Sequence, residues 1–375
     1  MSTVVEAPAK TGPNLGPGSL ANPAIPKGPA FALAAPEWIA VQVYALNGLA
    51  LPTDNDSFRK YLGPGAPDDL SPFADLIACF LKISTDCGTW QHTTYPNSVS
   101  LASDIYQYGT IKAPNYYPQI NTLADTLTND PTDAKALALL KAILDNLTAD
   151  AQARAANATS VKNQIQTFAD NTQTSKTTLT GPPDNPGGLV KKYNDLYGAE
   201  STDVKTCTDT IKAESLELDA DEAEYQQDVT IAATTATYAW VPFYGWIAAA
   251  VVAGVYGSRA VQALDRINAE KATIEAMNDK LQADANTMAA INVSEKGMTG
   301  IVDSLNAALP IIEKIEGVWG GIADDLAAIV KVIDTDIRQA LPILMSLGVD
   351  EAIQSWANVA QAADAFRLNA YVVKQ

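Results

Sequence analysis

The feature that most constrains the fold is the stretch between Pro131 and Gly181, which contains neither proline nor glycine. Such a stretch can hold a single helix of about 48 residues, which is ~70 Å long at 1.5 Å per residue. The predicted helix begins at Asp130-Pro131-Thr132-Asp133, where an early proline and acidic side chains in the first turn favour the start of a helix. Globular cores rarely contain a helix of this length, so the stretch predicts a rod of long helices.

The apolar positions of this stretch recur at alternating steps of four and three residues, which is the spacing of a heptad seam. Alanines and one arginine dilute the seam. Its core-compatible positions are Leu140, Leu144, Leu147, Ala151, Arg154, Ala158, Val161, Ile165, Phe168 and Thr172.

A glycine- and proline-rich turn over Gly181–Gly188 follows the predicted helix. A second long helix begins near Leu189, and the short turn requires it to run antiparallel to the first. Its looser seam consists of Leu189, Tyr193, Leu196, Val204, Cys207, Ile211, Leu218 and Tyr225.

The C-terminal part carries a wider and more apolar stripe from Ile301 to Leu341, again at steps of three and four. Such a stripe indicates a helix that lies centrally in a bundle. Pro310 predicts a kink within it, and Pro342 and Gly348 predict its end. A last helix is expected from about residue 350 to 372, with an apolar face of Trp356, Val359, Ala363 and Phe366.

The N-terminal third is punctuated more often. From residue 37 to about 129 apolar runs alternate with proline, glycine and aspartate, which predicts shorter helices. The predicted stops are Gly63-Pro64-Gly65 and Pro114-Asn115. One longer helix is expected across about 71–111, with a break where Thr93-Thr94-Tyr95-Pro96 occurs.

The run Val229–Ser258 is free of Asp, Glu, Lys and Arg over 30 residues. Its centre, Trp240–Trp246, places proline, glycine and four aromatic rings at a turn between two arms of about 12 residues. A membrane-spanning helix needs about 20 apolar residues, whereas a tilted strand needs about 9–11. The first arm is rich in β-branched residues, which favours a strand, and the second fits either form. Both a β-tongue and a short helical hairpin therefore stay open.

The alternative to membrane entry is a buried hairpin in the core. The thin neighbouring seams offer little core to cover the run, and it is uncharged on every face. Exposing its eight or so large side chains to water would cost on the order of 10–20 kcal/mol, so a soluble form has to cover it. The residues expected to insert are Val229, Ile231, Tyr238, Trp240, Val241, Pro242, Phe243, Tyr244, Trp246, Ile247, Val251, Val252 and Val255.

Signals for chemistry are weak throughout the chain. The net charge of −18 argues against nucleic acid as a partner. His92 is the one histidine, and no zinc, phosphate-loop or redox motif occurs. The acidic residues over 214–224 lack the spacing of a calcium loop. The odd number and wide spacing of the cysteines predict buried apolar thiols without a disulfide framework, at Cys79, Cys87 and Cys207. We expect no catalytic residue, no metal site, no cofactor and no enzyme activity.

The first 36 residues form a leader rich in proline and glycine that lacks the apolar stretch of a cleavable signal peptide. If the protein acts outside the cell, we expect export by another route.

Long antiparallel helices with a charge-free hairpin between two of them resemble the α-helical pore-forming toxins. This family includes cytolysin A and the components of haemolysin BL and the non-haemolytic enterotoxin. The resemblance implies an all-α fold: an elongated tail bundle over 37–214 and 276–375, and a head over 215–275 whose tongue is 229–258. It also implies that the tongue swings out to insert and that subunits then oligomerise.

The leader 1–36 differs from the amphipathic N-terminal pore helix of the single-component toxins. This difference favours one component of a multi-part toxin, with a target-cell membrane, further copies of the chain or sister components as partners. Such a protein would be secreted and then act at the host membrane. The alternative is a type III secretion translocator or a helical scaffold with a membrane-active segment, although translocators usually carry longer spans than these 12-residue arms.

Overall fold

The structure, a computed structural model, describes residues 13, 15–21, 41–42, 44–46, 48–63, 66–193, 195 and 301–369. Within these residues every regular element is helical, so the predicted all-α class is confirmed. The α-helices are α1 (Asn55–Leu62), α2 (Ala74–Thr89), α3 (Tyr95–Gln107), α4 (Ala113–Asn129), α5 (Ala134–Thr180), α6 (Gly188–Tyr193), α7 (Ile301–Thr335), α8 (Ile337–Met345) and α9 (Val349–Asn369). Short 3-10 turns cover Gly18–Ala21 and Ser71–Phe73, and the described positions among 41–49 are also helical.

Helix α5 has 47 residues, which confirms the long helix predicted from the absence of proline and glycine. It begins after Asp133, whose carboxylate accepts hydrogen bonds from the backbone N–H groups of Lys135 and Ala136 at 2.9 and 3.0 Å. All ten predicted seam positions from Leu140 to Thr172 are buried, including Arg154. The heptad spacing therefore identified the packed face of the helix correctly.

The turn over Gly181–Gly188 reverses the chain between α5 and α6. Gly188 has φ +49°, and a Cβ built on it would lie 2.5 Å from the carbonyl oxygen of Leu179, so only glycine fits there. Leu189 and Tyr193 of α6 are buried, as their seam predicts. The remaining members of that seam, from Leu196 to Tyr225, lie outside the described residues.

The chain divides into two compact units, which are described separately. Unit 1 comprises residues 1–32, 97–163 and 309–368, and unit 2 comprises residues 33–96, 164–308 and 369–375.

In unit 1 the helices α5 and α7 run antiparallel. Lys141 forms an ion pair with Asp334, and Lys162 forms one with Glu316 at 2.6 Å. The partner of the later residue in α5 is therefore the earlier residue in α7, which shows that the two helices run in opposite directions. Helix α8 packs against α4 in the same unit. The predicted antiparallel arrangement of long helices is present in this part of the chain.

In unit 2 the helix α2 runs antiparallel to the C-terminal part of α5. The amide of Asn171 donates to the carboxylate of Asp86 at 3.0 Å, and the rings of Trp90 and Phe168 stack with centroids 4.7 Å apart. The ring of Phe73 stacks on that of Tyr193 at 5.6 Å, which holds the start of α6 in the same core.

Two π-helical turns replace the interruptions expected near Pro96 and Pro114. One covers Trp90–Thr94 between α2 and α3, and the other covers Tyr108–Lys112 between α3 and α4. Each ends two residues before a proline. A proline ring crowds the carbonyl group four residues earlier, and one extra residue in the turn relieves that crowding. The helix therefore continues, and the predicted stop at Pro114-Asn115 is wrong.

The C-terminal helices also differ from the predicted boundaries. Helix α7 continues through Pro310 and ends at Thr335, because the carboxylate of Asp336 accepts the backbone N–H of Arg338 at 3.0 Å and starts α8. Pro342 lies inside α8, so the predicted stop at this proline is wrong. The predicted end at Gly348 is correct, since this residue has φ +62° in the turn before α9.

Candidate functional site

The residues predicted to enter a membrane, from Val229 to Val255, all lie outside the described residues. Their role therefore stays a prediction. Of the helices in the described part of the chain, none combines the length and the apolar character that crossing a membrane requires. The same residues contain no group of three or more His, Cys, Asp or Glu side chains that could hold a metal ion.

The core of unit 1 is built around four large rings, Tyr108, Tyr117, Trp319 and Trp356, which we call the aromatic cluster. The two indoles stack at 4.8 Å, and Tyr108 lies 4.7 Å from one and 4.8 Å from the other. All four side chains are fully buried. Each comes from a different element, namely the second π turn, α4, α7 and α9. The cluster therefore holds these four elements together.

Helix α5 contributes Arg154 to the same place. Its guanidinium lies 5.4 Å from the ring centre of Tyr108 and 5.3 Å from that of Trp319, within the range of a cation–π contact. It donates to the carboxylate of Asp150 at 2.9 Å and to the backbone carbonyl of Asp104 at 2.7 Å. This pairing explains how a charged residue occupies a seam position that is only 9% exposed.

A piece of the leader completes the cluster. The backbone carbonyl of Leu15 accepts hydrogen bonds from the Tyr117 hydroxyl at 2.7 Å and from the Trp356 indole N–H at 2.8 Å. The Leu15 side chain is fully buried, and Leu20 is almost so. Residues 1–36 are predicted from the sequence to be a loose leader, whereas Leu15 and Leu20 are buried in the structure. The reason is that two buried donors find their acceptor in the leader backbone.

The two tyrosines of the cluster form a directed chain of hydrogen bonds. Their hydroxyl oxygens are 3.0 Å apart. Tyr117 gives its one hydrogen to Leu15, so Tyr108 must donate to Tyr117. Burial raises the pKa of Tyr108 to about 12 and that of Tyr117 well above its usual range. Both phenols therefore remain protonated donors at physiological pH.

Gly109 lets the second π turn approach α9 closely. A Cβ at this position would lie 2.5 Å from the carbonyl oxygen of Trp356 and 2.8 Å from the Cβ of Ala360. Neither Gly109 nor Leu15 belongs to a motif that the sequence predicts to be functional. The available signals were a glycine directly after an aromatic residue, and Leu15 and Leu20, two of the three leucines in a leader rich in proline and glycine.

In unit 2 the buried thiols agree with the sequence prediction. Cys79 and Cys87 are free and buried. Burial raises the pKa of Cys79 to about 11 and that of Cys87 further still, so neither is a reactive thiolate. Cys207 lies outside the described residues. His92 lies exposed in the first π turn.

Comparisons with known proteins bear on the whole chain. No family model matches it. The pesticidal crystal protein Cry6Ba of Bacillus thuringiensis is 24% identical over 369 residues, which cover 91% of this chain and 89% of that protein. The structure of the Bacillus cereus HblL1 toxin component matches with a TM-score of 0.54 and 16% identity, over 96% of this chain and 99% of that one.

A crystal form of SmhA, from the tripartite α-pore-forming toxin Smh of Serratia marcescens, matches with a TM-score of 0.55 and 15% identity. This match covers 96% of this chain and 97% of that one. The chain has the fold of the α-helical pore-forming toxins. The resemblance drawn from the long seams and the charge-free run is thereby confirmed for the fold.

Proposed function

We propose that this protein is a pore-forming toxin subunit that inserts the run Val229–Ser258 into a target membrane. The observation that carries the proposal is the fold shared with HblL1 and SmhA over 96% of the chain. A chain of that fold with 30 consecutive uncharged residues has a segment suited to lipid. The similarity to a pesticidal crystal protein over most of both chains supports a toxin role.

The proposal includes a change of state. Water opposes exposure of the run by on the order of 10–20 kcal/mol, so the soluble form keeps it covered and contact with a membrane releases it. Insertion then brings subunits together as oligomers, alone or with sister components. SmhA belongs to a tripartite toxin, which supports the second possibility for this chain. The protein acts after secretion, at the membrane of the target cell.

Apolar burial supplies the membrane affinity in this proposal. The chain carries a net charge of −18, which disfavours attraction to anionic headgroups. Membrane binding should therefore persist at high salt, because screening weakens electrostatic attraction and leaves apolar transfer in place.

Dye release from liposomes tests the role of the run. The test variant carries Val241→Asp together with Val251→Asp, which place one charge in the central turn of the run and one in its second arm. The matched control carries Gln152→Asp together with Gln361→Asp, which add the same charge at exposed positions of α5 and α9. We expect leakage by the wild type and the control, and at least a tenfold loss in the test variant.

Equal leakage by the test variant and the control would exclude insertion of the run. A wild type that neither floats with liposomes nor releases dye at any pH or with any detergent trigger would instead support a purely structural rod that never meets lipid. Electron microscopy of the liposomes shows whether rings accompany leakage, which tests the oligomer separately.

A further inference from the structure

The part of the leader that docks in unit 1 is short and lies in a cleft between three helices. We call residues 15–20 the latch. Leu15, Gly16, Pro17 and Leu20 are buried. The donors come from Tyr117 on α4 and Trp356 on α9. A Cβ built on Gly18 would lie 3.5 Å from a methyl carbon of Val318, so the latch also reaches α7.

The cleft recognises a backbone rather than a particular side chain. Two side-chain donors converge on one carbonyl oxygen, so they would accept any extended peptide that presents a carbonyl there. The side chain of Leu15 is fully buried, and Gly18 adopts φ +52°, which favours glycine. The latch meets these requirements with the carbonyl of Leu15 and with Gly18 three residues later.

The way the latch is held distinguishes it from the helices around it. Helices α5 and α7 are joined by ion pairs and by long packed seams. The regular structure at the latch is one turn of 3-10 helix, Gly18–Ala21. The latch can therefore leave the cleft without unwinding α4, α7 or α9. Its departure leaves the Tyr117 hydroxyl and the Trp356 N–H without their acceptor, which keeps the latch closed until another change compensates.

We infer that the latch is a releasable clamp on unit 1, and that it has to leave its cleft before α4, α7 and α9 can change their packing as the toxin inserts. The inference rests on the proposed function, since it adds a step to the transition from the soluble to the inserted form. While the latch is docked, the carbonyl of Leu15 joins α4 to α9 and thereby holds the aromatic cluster in one arrangement.

A reversible disulfide between the latch and α7 tests this step in the full-length chain. Gly18→Cys and Val318→Cys place two thiols within reach, because the Cβ at residue 18 lies 3.5 Å from a carbon one bond beyond the Val318 Cβ. Cys207→Ser in every variant removes a native thiol, while Cys79 and Cys87 are buried. Each single cysteine variant controls for the substitution itself, and the reduced form of the double variant is the matched control.

We expect the oxidised double variant to release dye at least tenfold more slowly than the same protein after reduction. Equal release in the two forms would overturn the latch while leaving the pore-forming proposal intact. A wild type that neither floats with liposomes nor releases dye would overturn both. Hydrogen exchange of the wild type gives a second reading. Residues 15–21 and 113–129 should lose protection when liposomes are added, and unchanged protection during leakage would also refute the latch.

Discussion

Replacing Gly109 by alanine tests the closest approach in unit 1. The added Cβ would lie 2.5 Å from the carbonyl oxygen of Trp356, and ordinary contact begins at 3.4 Å, so α9 has to retreat by about 0.9 Å. Because the obstacle is backbone, no side-chain rotation can relieve the clash. The retreat also loosens the stacking of Trp356 on Trp319, which is now at 4.8 Å.

Two effects of opposite sign set the magnitude. Overpacking a well-filled core costs about 1–3 kcal/mol. Alanine is better than glycine in a helix by about 1 kcal/mol, which offsets part of this cost. We therefore expect Gly109→Ala to lower the free energy of unfolding by up to about 2 kcal/mol.

Gly317 on α7 is the matched control, since a Cβ there would meet nothing within 4 Å. The same substitution at this exposed position should raise the free energy of unfolding by up to about 1 kcal/mol. Urea unfolding followed by circular dichroism compares both variants with the wild type. If Gly109→Ala were as stable as Gly317→Ala, the close contact between the second π turn and α9 would be refuted.

Three further substitutions test the cluster and the ion pairs. Tyr117→Phe removes one hydrogen-bond donor to the Leu15 carbonyl and should lower the free energy of urea unfolding by about 1 kcal/mol. Hydrogen exchange in residues 15–21 should become faster, and unchanged exchange there would refute the contact. Arg154→Met should cost roughly 1–3 kcal/mol because it removes the guanidinium that pairs with the carboxylates of Asp150 and Asp104, and adding Asp150→Asn should recover part of that loss. Hydrogen bonds from Lys162 and Thr159 on α5 hold the pKa of Glu316 below its usual 4.5. The stability that this carboxylate contributes is therefore present above about pH 4.5 and is lost as the pH falls through the lowered pKa. Glu316→Gln should therefore lose less stability than the wild type between pH 6 and pH 3, and equal acid sensitivity of the two proteins would contradict that role.

The sequence predicted the long helices well because their evidence is repeated many times. Ten seam positions between Leu140 and Thr172 all point to one buried face, so no single residue decides the result. Proline positions were less informative. Pro114 and Pro342 lie within helical segments, because a π turn accommodates the first and the cap at Asp336 sets the helix boundary before the second.

The docked leader could not be predicted, because it depends on a contact between residues far apart in the chain. Leu15 and Trp356 are 341 positions apart, and no local pattern shows that a backbone carbonyl meets an indole N–H. Arg154 was visible as an interruption of the seam, but its role required the positions of Tyr108 and Trp319. The membrane role of Val229–Ser258 still rests on its composition and on the toxin fold of the chain.

The unbroken heptad spacing of α5 restricts how this helix can change in evolution. Inserting one residue near the middle of the helix would rotate all later side chains by about 100° about the helix axis. The half of the seam that follows the insertion would then face the solvent. Inserting seven would lengthen the helix by about 10.5 Å and leave the buried face intact. Among related chains we therefore expect the length of this helix to vary in steps of seven or eleven residues, with the partner helices α2 and α7 changing length to match.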